Sequence, residues 1–257
     1  MIILISNDDG IHSPGLHALV RAVADLGQVW VVAPDREQSA VGHSITISEP
    51  IRLTDTSVGG SFRSFAISGS PADCVKLALS ELLPKTPALI ISGINRGENT
   101  GISIIYSGTV SAATEGAING IPAMAVSLDS FSHEDFGPSA AVARRAAQRV
   151  LADGLPAGTL LNINVPALPD ERILGVKVIK QGKGRFKESF LKRNDPRGRV
   201  YYWMDGQKLP LNETETDGTA LNEGYVTVTP IHFDLTHHAA LPLLESWAEQ
   251  IHPVNNA

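Results

Sequence analysis

The sequence predicts an α/β fold built on a mostly parallel sheet, and three observations carry that expectation. Short, nearly unbroken apolar runs recur at residues 2–5, 29–33, 88–91, 123–126 and 160–165, with the length of strands buried on both faces. Stretches with apolar residues at helical spacing lie between several of them, so strand, helix and strand alternate as in βαβ units. The 257 residues suffice for one large α/β domain, or a core domain with an appendage.

Composition narrows the classes further. A hydrophobic content of 43% with 19% charged residues is that of an ordinary folded chain. The net charge of −6 argues against broad electrostatic binding of nucleic acid, so no large nucleic-acid surface is expected. The basic run Lys180-Gln-Gly-Lys-Gly-Arg-Phe-Lys187 is the local exception, read as the solvated face of a hairpin. No apolar run is long enough to span a bilayer, and no basic region precedes the first one as in a signal peptide. The single Cys74 offers neither a disulfide framework nor a zinc cluster. A cytoplasmic location without membrane partners is expected.

The first strand ends abruptly in Asn7-Asp8-Asp9-Gly10. In a parallel sheet the loops at the carboxyl ends of the strands form the ligand crevice, so two adjacent carboxylates there suit a hard divalent cation. A helix cap alone would need only one acid, and a second beside it adds repulsion. Leu16, Leu19, Val20, Val23 and Leu26 then recur at helical spacing, with Gly27 as a stop. After the second strand ends at Pro34, residues 35–44 form a polar loop on the same edge, where Ser39 and Ser44 are equally placed to face the ion. Residues 45–48 and 51–54 alternate as extended pieces, followed by 62–67. Ser70, Pro71 and Asp73 fit the N-cap, first turn and positive end of a helix whose core face is Cys74, Leu77, Ala78 and Leu82.

The strand over 88–92 exits into a loop at 93–101, where Asn95 offers a neutral oxygen to a cation and Arg96 a charge to an anion. Next, Tyr106-Ser-Gly-Thr109 opens an Ala-rich helix, presenting free N–H groups, hydroxyls and the positive dipole end to a phosphate-sized anion. Neither a G-x-G-x-x-G fingerprint nor a Gly-Lys-Ser/Thr loop is present. A strand over 123–127, a helix over 139–151 with solvated Arg144, Arg145 and Arg149, and a strand over 160–166 complete the core. Prolines and glycines then punctuate extended pieces through Trp203, read as hairpins projecting for oligomerisation. Tyr225 to Ile231 alternates as a strand, and Leu243, Leu244 and Trp247 suggest a terminal helix. His237 and His238 are neighbours that cannot share a metal from a helix; a helix-start or interface role is expected. The division is residues 1–166 as catalytic core and 167–257 as extension, with strand 225–231 free to return to the core.

Four carboxyl-edge loops thus bring oxygen ligands beside anion donors, which points to metal-dependent phosphoester hydrolysis. Carboxylate-rich coordination suits Mg²⁺ or Mn²⁺ better than Zn²⁺. The motifs Asn7-Asp-Asp-Gly-Ile-His-Ser-Pro-Gly15, Ala33-Pro-Asp-Arg-Glu-Gln-Ser-Ala40, Ser92-Gly-Ile-Asn-Arg-Gly-Glu-Asn-Thr-Gly101 and Tyr106-Ser-Gly-Thr-Val-Ser-Ala-Ala-Thr-Glu-Gly116 resemble those of the SurE family of nucleotidases. The resemblance runs from Met1 through residue 231. It implies a Rossmann-like three-layer core with a swapped C-terminal extension, a homodimer or homotetramer, and one divalent metal per subunit held by Asp8, Asp9, Ser39 and Asn95. It favours Ser39 over Ser44, and places phosphate near Ser107, Gly108 and Thr109. The activity implied is removal of phosphate from nucleoside 5′- and 3′-monophosphates, with polyphosphate as a further substrate of some members. Attack by a metal-activated water is the expected mechanism, with Asp8, Asp9 and Asn95 as the catalytic group. Asp8 as a covalent nucleophile is its rival. A haloacid-dehalogenase-type phosphatase, a nucleotide-sugar glycosyltransferase and a non-enzymatic nucleotide-binding module are the alternatives; the first usually carries Asp-x-Asp rather than adjacent acids.

Overall fold

The computed structural model describes residues 1–60, 62–132, 135–209 and 213–251. Its strands are β1 (Ile2–Ser6), β2 (Gln28–Pro34), β3 (Leu53–Thr56), β4 (Arg63–Ile67), β5 (Leu89–Arg96), β6 (Ala123–Asp129), β7 (Thr159–Pro166), β8 (Val176–Val178), β9 (Phe186–Asn194), β10 (Val200–Lys208) and β11 (Val226–His232). The helices used below are α1 (Pro14–Val23), α2 (Pro71–Leu77), α3 (Ser103–Tyr106), α4 (Gly108–Ile118), α5 (Gly137–Asp153) and α6 (Asp217–Asn222). Among the described residues, nine strands form one sheet in the order β3-β4-β2-β1-β5-β6-β7-β11-β8, and β9 and β10 form a separate antiparallel hairpin. Strands β4, β2, β1, β5, β6 and β7 run parallel; β3 and β11 are antiparallel to their core neighbours.

The runs of apolar residues follow from coverage on both faces. Ile3 and Ile5 of β1 belong to the cluster that includes Leu16 and Leu19 of α1 and Ala143 and Ala147 of α5. Ile2 and Leu4 belong to the opposite cluster, with Cys74 and Val75 of α2 and Val110 and Ala113 of α4. Period-two alternation thus sends successive side chains of one strand into two different cores. Each fully buried Ile or Leu contributes roughly 1.5–3 kcal/mol through lost apolar exposure, so β1, whose five residues are all buried, is the centre of both layers. It is also where the chain reverses its direction of travel across the sheet, β2 lying on one side and β5 on the other. In open α/β sheets that reversal opens the ligand crevice.

Several elements differ from the sequence expectation. Residues 45–48 alternate like a strand but form none, because Thr46 is bonded to Asp73 at the start of α2 instead of to a neighbouring chain. The extended piece placed at 51–54 is β3, shifted to Leu53–Thr56. β5 continues past Ser92 through Arg96, so Asn95 and Arg96 sit on a strand end and not in a free loop. Arg144 is not simply solvated: it forms an ion pair with Asp25 and donates to Ala22 O at 2.7 Å. The basic run is solvated as expected at Lys180, Lys183, Arg185 and Lys187, but only its end enters the hairpin; its buried Gly182 donates to Asp217 at 2.8 Å. The terminal helix is broken into short turns, with Leu243, Trp247 and Ile251 exposed. His238 starts a 3₁₀ turn and pairs with Asp234 at 2.8 Å, as a helix-start role requires.

β11 returns from the extension to pair with β7, and β8 pairs with β11. The tether is drawn tight by Asp217, which is fully buried at the first position of α6. Its carboxylate accepts the N–H groups of Gly101 (2.9 Å), Gly182 (2.8 Å) and Gly218 (2.8 Å). Gln181 adds a bond to Gly101 O at 2.7 Å. The segment after β5 is therefore fastened from beneath by Asn162 and Asn164, which hold Asn99, and from the side by the extension.

Candidate active site

Asp8 and Asp9 lie on the turn that leaves β1. Asn7 shapes this turn from within: it is fully buried, and its Nδ2 donates to Gly10 O at 3.0 Å and to Ser13 Oγ at 2.7 Å. Ser13 in turn caps α1 by accepting from Leu16 N–H. The turn and the helix start are thus one hydrogen-bonded unit, leaving both carboxylates unneeded as caps. Asp8 is 5% exposed and accepts the hydroxyl of Thr109. Asp9 accepts the backbone N–H of Arg96 at 3.2 Å.

β5 supplies the second wall. Its register with β6 shifts between Gly93, opposite Val126, and Asn95, opposite Ser127. Ile94 is left out of the pairing and is fully buried in the core with α1 and α5. Such a bulge re-aims the residues that follow it. Asn95 Nδ2 is spent on Arg96 O (3.1 Å) and Gly97 O (2.8 Å), which leaves its carbonyl oxygen as the end available to a ligand.

The third wall is the start of α4. Ser107 is its N-cap, accepting from Val110 N–H at 3.1 Å, and Thr109 is fully buried. A Cβ on Gly108 would lie 2.7 Å from Asp8 Cβ, so only glycine lets the helix start close against that carboxylate. The Thr109 hydroxyl is spent on Asp8, whereas the Ser107 hydroxyl accepts from Val110 N–H and keeps its proton to donate, so it and the positive helix end at Gly108 carry the anion-binding capacity.

The fourth wall, residues 35–39, abuts the first: Gln38 N–H donates to Asp8 O at 2.8 Å and Ile11 N–H to Pro34 O at 2.9 Å. Ser39 is exposed, and its hydroxyl donates to Glu37 at 2.5 Å. The structure thus brings Asp8, Gly108 and Thr109 into contact, ties Asp9 to the backbone of Arg96 next to Asn95, and sets Ser39 on the adjoining loop. A pocket of about 360 Å³ beside Asp9 is lined by His12, Arg36, Glu37 and Arg96 among others. His12 and Arg36 were not singled out as site residues in the sequence; their only signal was position within the Asn7 and Asp35 motifs.

Electrostatics test whether a cation fits here. Burial pushes the Asp9 carboxyl up to about 7, with the adjacent Asp8 charge adding to the rise. Burial raises Asp8 as well, against the opposing hydrogen bonds from Thr109. Two carboxylates that the protein alone leaves reluctant to ionise form a site that a divalent cation would satisfy. Among the described residues no group of three or more His, Cys, Asp or Glu is assembled. The donor set is hard oxygen: two carboxylates, an amide and a hydroxyl, which fits Mg²⁺ or Mn²⁺.

The folded-state value of Asp9 lies above its unfolded value near 3.9, so the folded state disfavours the ionised form. That penalty is absent below about pH 4 and complete above about pH 7. The metal-free protein is expected to lose stability across this window from Asp9. The increase in Tm on adding Mn²⁺ is expected to be larger at pH 8 than at pH 6, because protons compete for the same oxygens. Thermal melts with EDTA and with Mn²⁺ at the two pH values check this; an equal increment at both would contradict it.

A doubly wound α/β core with adjacent acids at the switch point, facing a helix N-terminus, is the class of protein that the fold and the site define. The comparisons give the family. The family model described as Survival protein SurE matches residues 3–188, and the chain belongs to the SurE family. A 5′-nucleotidase SurE of Heliobacterium modesticaldum is 49% identical over 96% of this chain and 92% of its own length. That of Syntrophobacter fumaroxidans is 48% identical over 96% and 99%. The crystal structure of the SurE protein from Aquifex aeolicus superposes with a TM-score of 0.83 at 43% identity, covering 96% of this chain and 99% of that one.

Proposed function

We propose that this protein is a nucleotidase that hydrolyses nucleoside 5′- and 3′-monophosphates to nucleoside and phosphate, with polyphosphate as a further substrate, and that it uses one Mg²⁺ or Mn²⁺ ion per subunit. The observation that carries the proposal is the pair of adjacent carboxylates at the switch point, Asp8 buried and Asp9 half-buried, with Asp8 closed against the start of α4. Relatives described as 5′-nucleotidases, nearly half identical over almost the whole chain, support the same reading.

Asp8, Asp9, Asn95 and Ser39 would hold the cation. When bound, it would polarise the phosphoryl group and lower the pKa of a bound water. The rest falls to the chain itself. The N-terminus of α4 at Ser107, Gly108 and Thr109 directs N–H groups and a positive dipole at the phosphoryl oxygens, where charge accumulates during displacement. Arg96, beside Asp9 in the same pocket, adds charge. Thr109 holds Asp8 by its hydroxyl. Asp8 is assigned here as a ligand; a labelled phospho-enzyme trapped on Asp8 would make it the nucleophile instead.

The hairpin β9–β10 exposes Phe190, Tyr202, Trp203 and Met204, each more than half exposed. A projecting apolar ribbon of this kind supports assembly as a homodimer or homotetramer. No helix among the described residues is long and apolar enough to cross a membrane.

The test is phosphate release from 5′- and 3′-nucleotides, polyphosphate and a generic phosphate ester, with Mg²⁺, Mn²⁺ or EDTA. Metal-dependent release from nucleotides is the expected result. Binding without turnover under every metal would replace the hydrolase with a nucleotide-binding module.

A further inference from the structure

Glu115 is 2% exposed on α4, two turns beyond the residues that face Asp8, and none of the chemistry above uses it. Its Oε1 lies 2.7 Å from His43 Nε2, and its Oε2 forms an ion pair with Lys76 Nζ at 2.9 Å. Burial would raise this carboxyl, but the bonds from His43 and Lys76 outweigh it and hold the group below the usual range. Lys76 on α2 already supplies a compensating charge. His43 comes from neither helix: it belongs to the loop that carries Ser39.

That loop is fastened at two ends and free between them. Upstream, Gln38 N–H is bonded to Asp8 O. Downstream, Gly42 N–H donates to Tyr106 O at 3.0 Å, Ser70 Oγ to Ser44 O at 2.7 Å, and Thr46 Oγ1 to Asp73 at 2.6 Å. Ala40 and Gly42 take left-handed φ values of 56° and 59°, so the chain turns sharply on either side of Val41. Within this downstream anchor, His43 makes the side-chain bond that reaches α4, the helix whose start closes on Asp8.

We propose that His43, oriented by Glu115, is a positioning residue that fixes the Ser39 segment relative to α4 and thereby sets the Ser39 hydroxyl for the divalent cation. The inference rests on the metal site proposed above. Glu115 serves as a shared post: one helix carries both the contact to Asp8 and the contact that locates the loop. Partners that orient a ligand from outside the metal shell typically change metal affinity 10- to 100-fold when removed.

The test is calorimetric titration of the full-length protein with Mn²⁺ in the absence of nucleotide, alongside steady-state kinetics. His43→Ala is expected to weaken Mn²⁺ binding about 10-fold and to raise the Mn²⁺ concentration for half-maximal activity in parallel. At saturating metal, KM for nucleotide should stay within about twofold, because the anion site on α4 is untouched. His43→Gln, whose amide can still donate to Glu115, should recover most of the affinity. Lys76→Gln should lower Tm while leaving Mn²⁺ affinity unchanged. Wild-type affinity in His43→Ala would overturn the inference. So would an equal loss of affinity in Lys76→Gln, which would trace the effect to the buried charge of Glu115 and not to the loop. A wild-type protein that takes up no Mn²⁺ would remove the metal reading itself, a failure separable from that of His43.

Discussion

Asp8→Asn is expected to lower kcat/KM by roughly 10³-fold or more, the scale reached when a group central to transition-state stabilisation is lost, while the protein folds and melts at or above the wild-type temperature. The two effects have one cause. Asp8 is buried beside Asp9, and each carboxyl is raised above its ordinary value, so the pair burdens the metal-free fold. Asparagine keeps the shape and an oxygen that still accepts from Thr109, but removes the charge that repels Asp9. It also removes the charge that holds the cation, so the Mn²⁺-induced rise in Tm should disappear with activity. Melts with and without Mn²⁺, run beside the phosphate assay, check both halves. Retention of a tenth of wild-type activity would exclude Asp8 from the metal shell.

Gly15→Ala should destabilise the protein by about 3 kcal/mol or more, in the range of severe overpacking. Helix propensity argues the other way, since alanine in a helix interior is favoured over glycine by about 1 kcal/mol. Geometry decides between them. A Cβ at position 15 would stand 2.1 Å from Ile94 O and 3.0 Å from the ring of Phe136. Neither can yield cheaply: Ile94 is the bulged, fully buried residue of β5, and Phe136 is 4% exposed at the start of α5. The whole of α1 must lift from the sheet. For a chain of this size the loss corresponds to a drop in Tm of roughly 6–12 °C. A change within 1 °C would show that α1 does not rest on β5 as described.

What the sequence made legible was local. The run at residues 2–5 followed by two acids located β1 and the site together, because burial on both faces and a polar turn are both written in consecutive residues. Ser70 with Asp73, and Ser107 before its Ala-rich stretch, marked helix starts that the structure bears out as a capping box and an N-cap. What stayed hidden depends on partners far along the chain. Glu115 meets His43 across 72 positions and Asp217 meets Gly101 across 116. No periodicity announces such pairs, and a lone Asp or Glu within a helix reads as a solvated face. The same blindness explains residues 45–48, whose alternation matches a strand although their bonds go to α2. It explains Asn95 as well, placed in a loop by its glycine neighbours when the bulge at Ile94 in fact carries β5 past it.

The knot at Asp217 also bears on how this chain could change over evolutionary time. Gly182 and Gly218 donate to the same carboxylate oxygen, so the chain departs for the β9–β10 hairpin and comes back at one spot. Everything in between is, topologically, an excursion from a closed base. Beyond Gly184, whose carbonyl still accepts from Ile102 N–H, lineages could lengthen, trim or resurface it, altering what the molecule assembles with, while the base stays closed. The molecule has in effect separated the part that must be preserved from the part that is free to be rewritten.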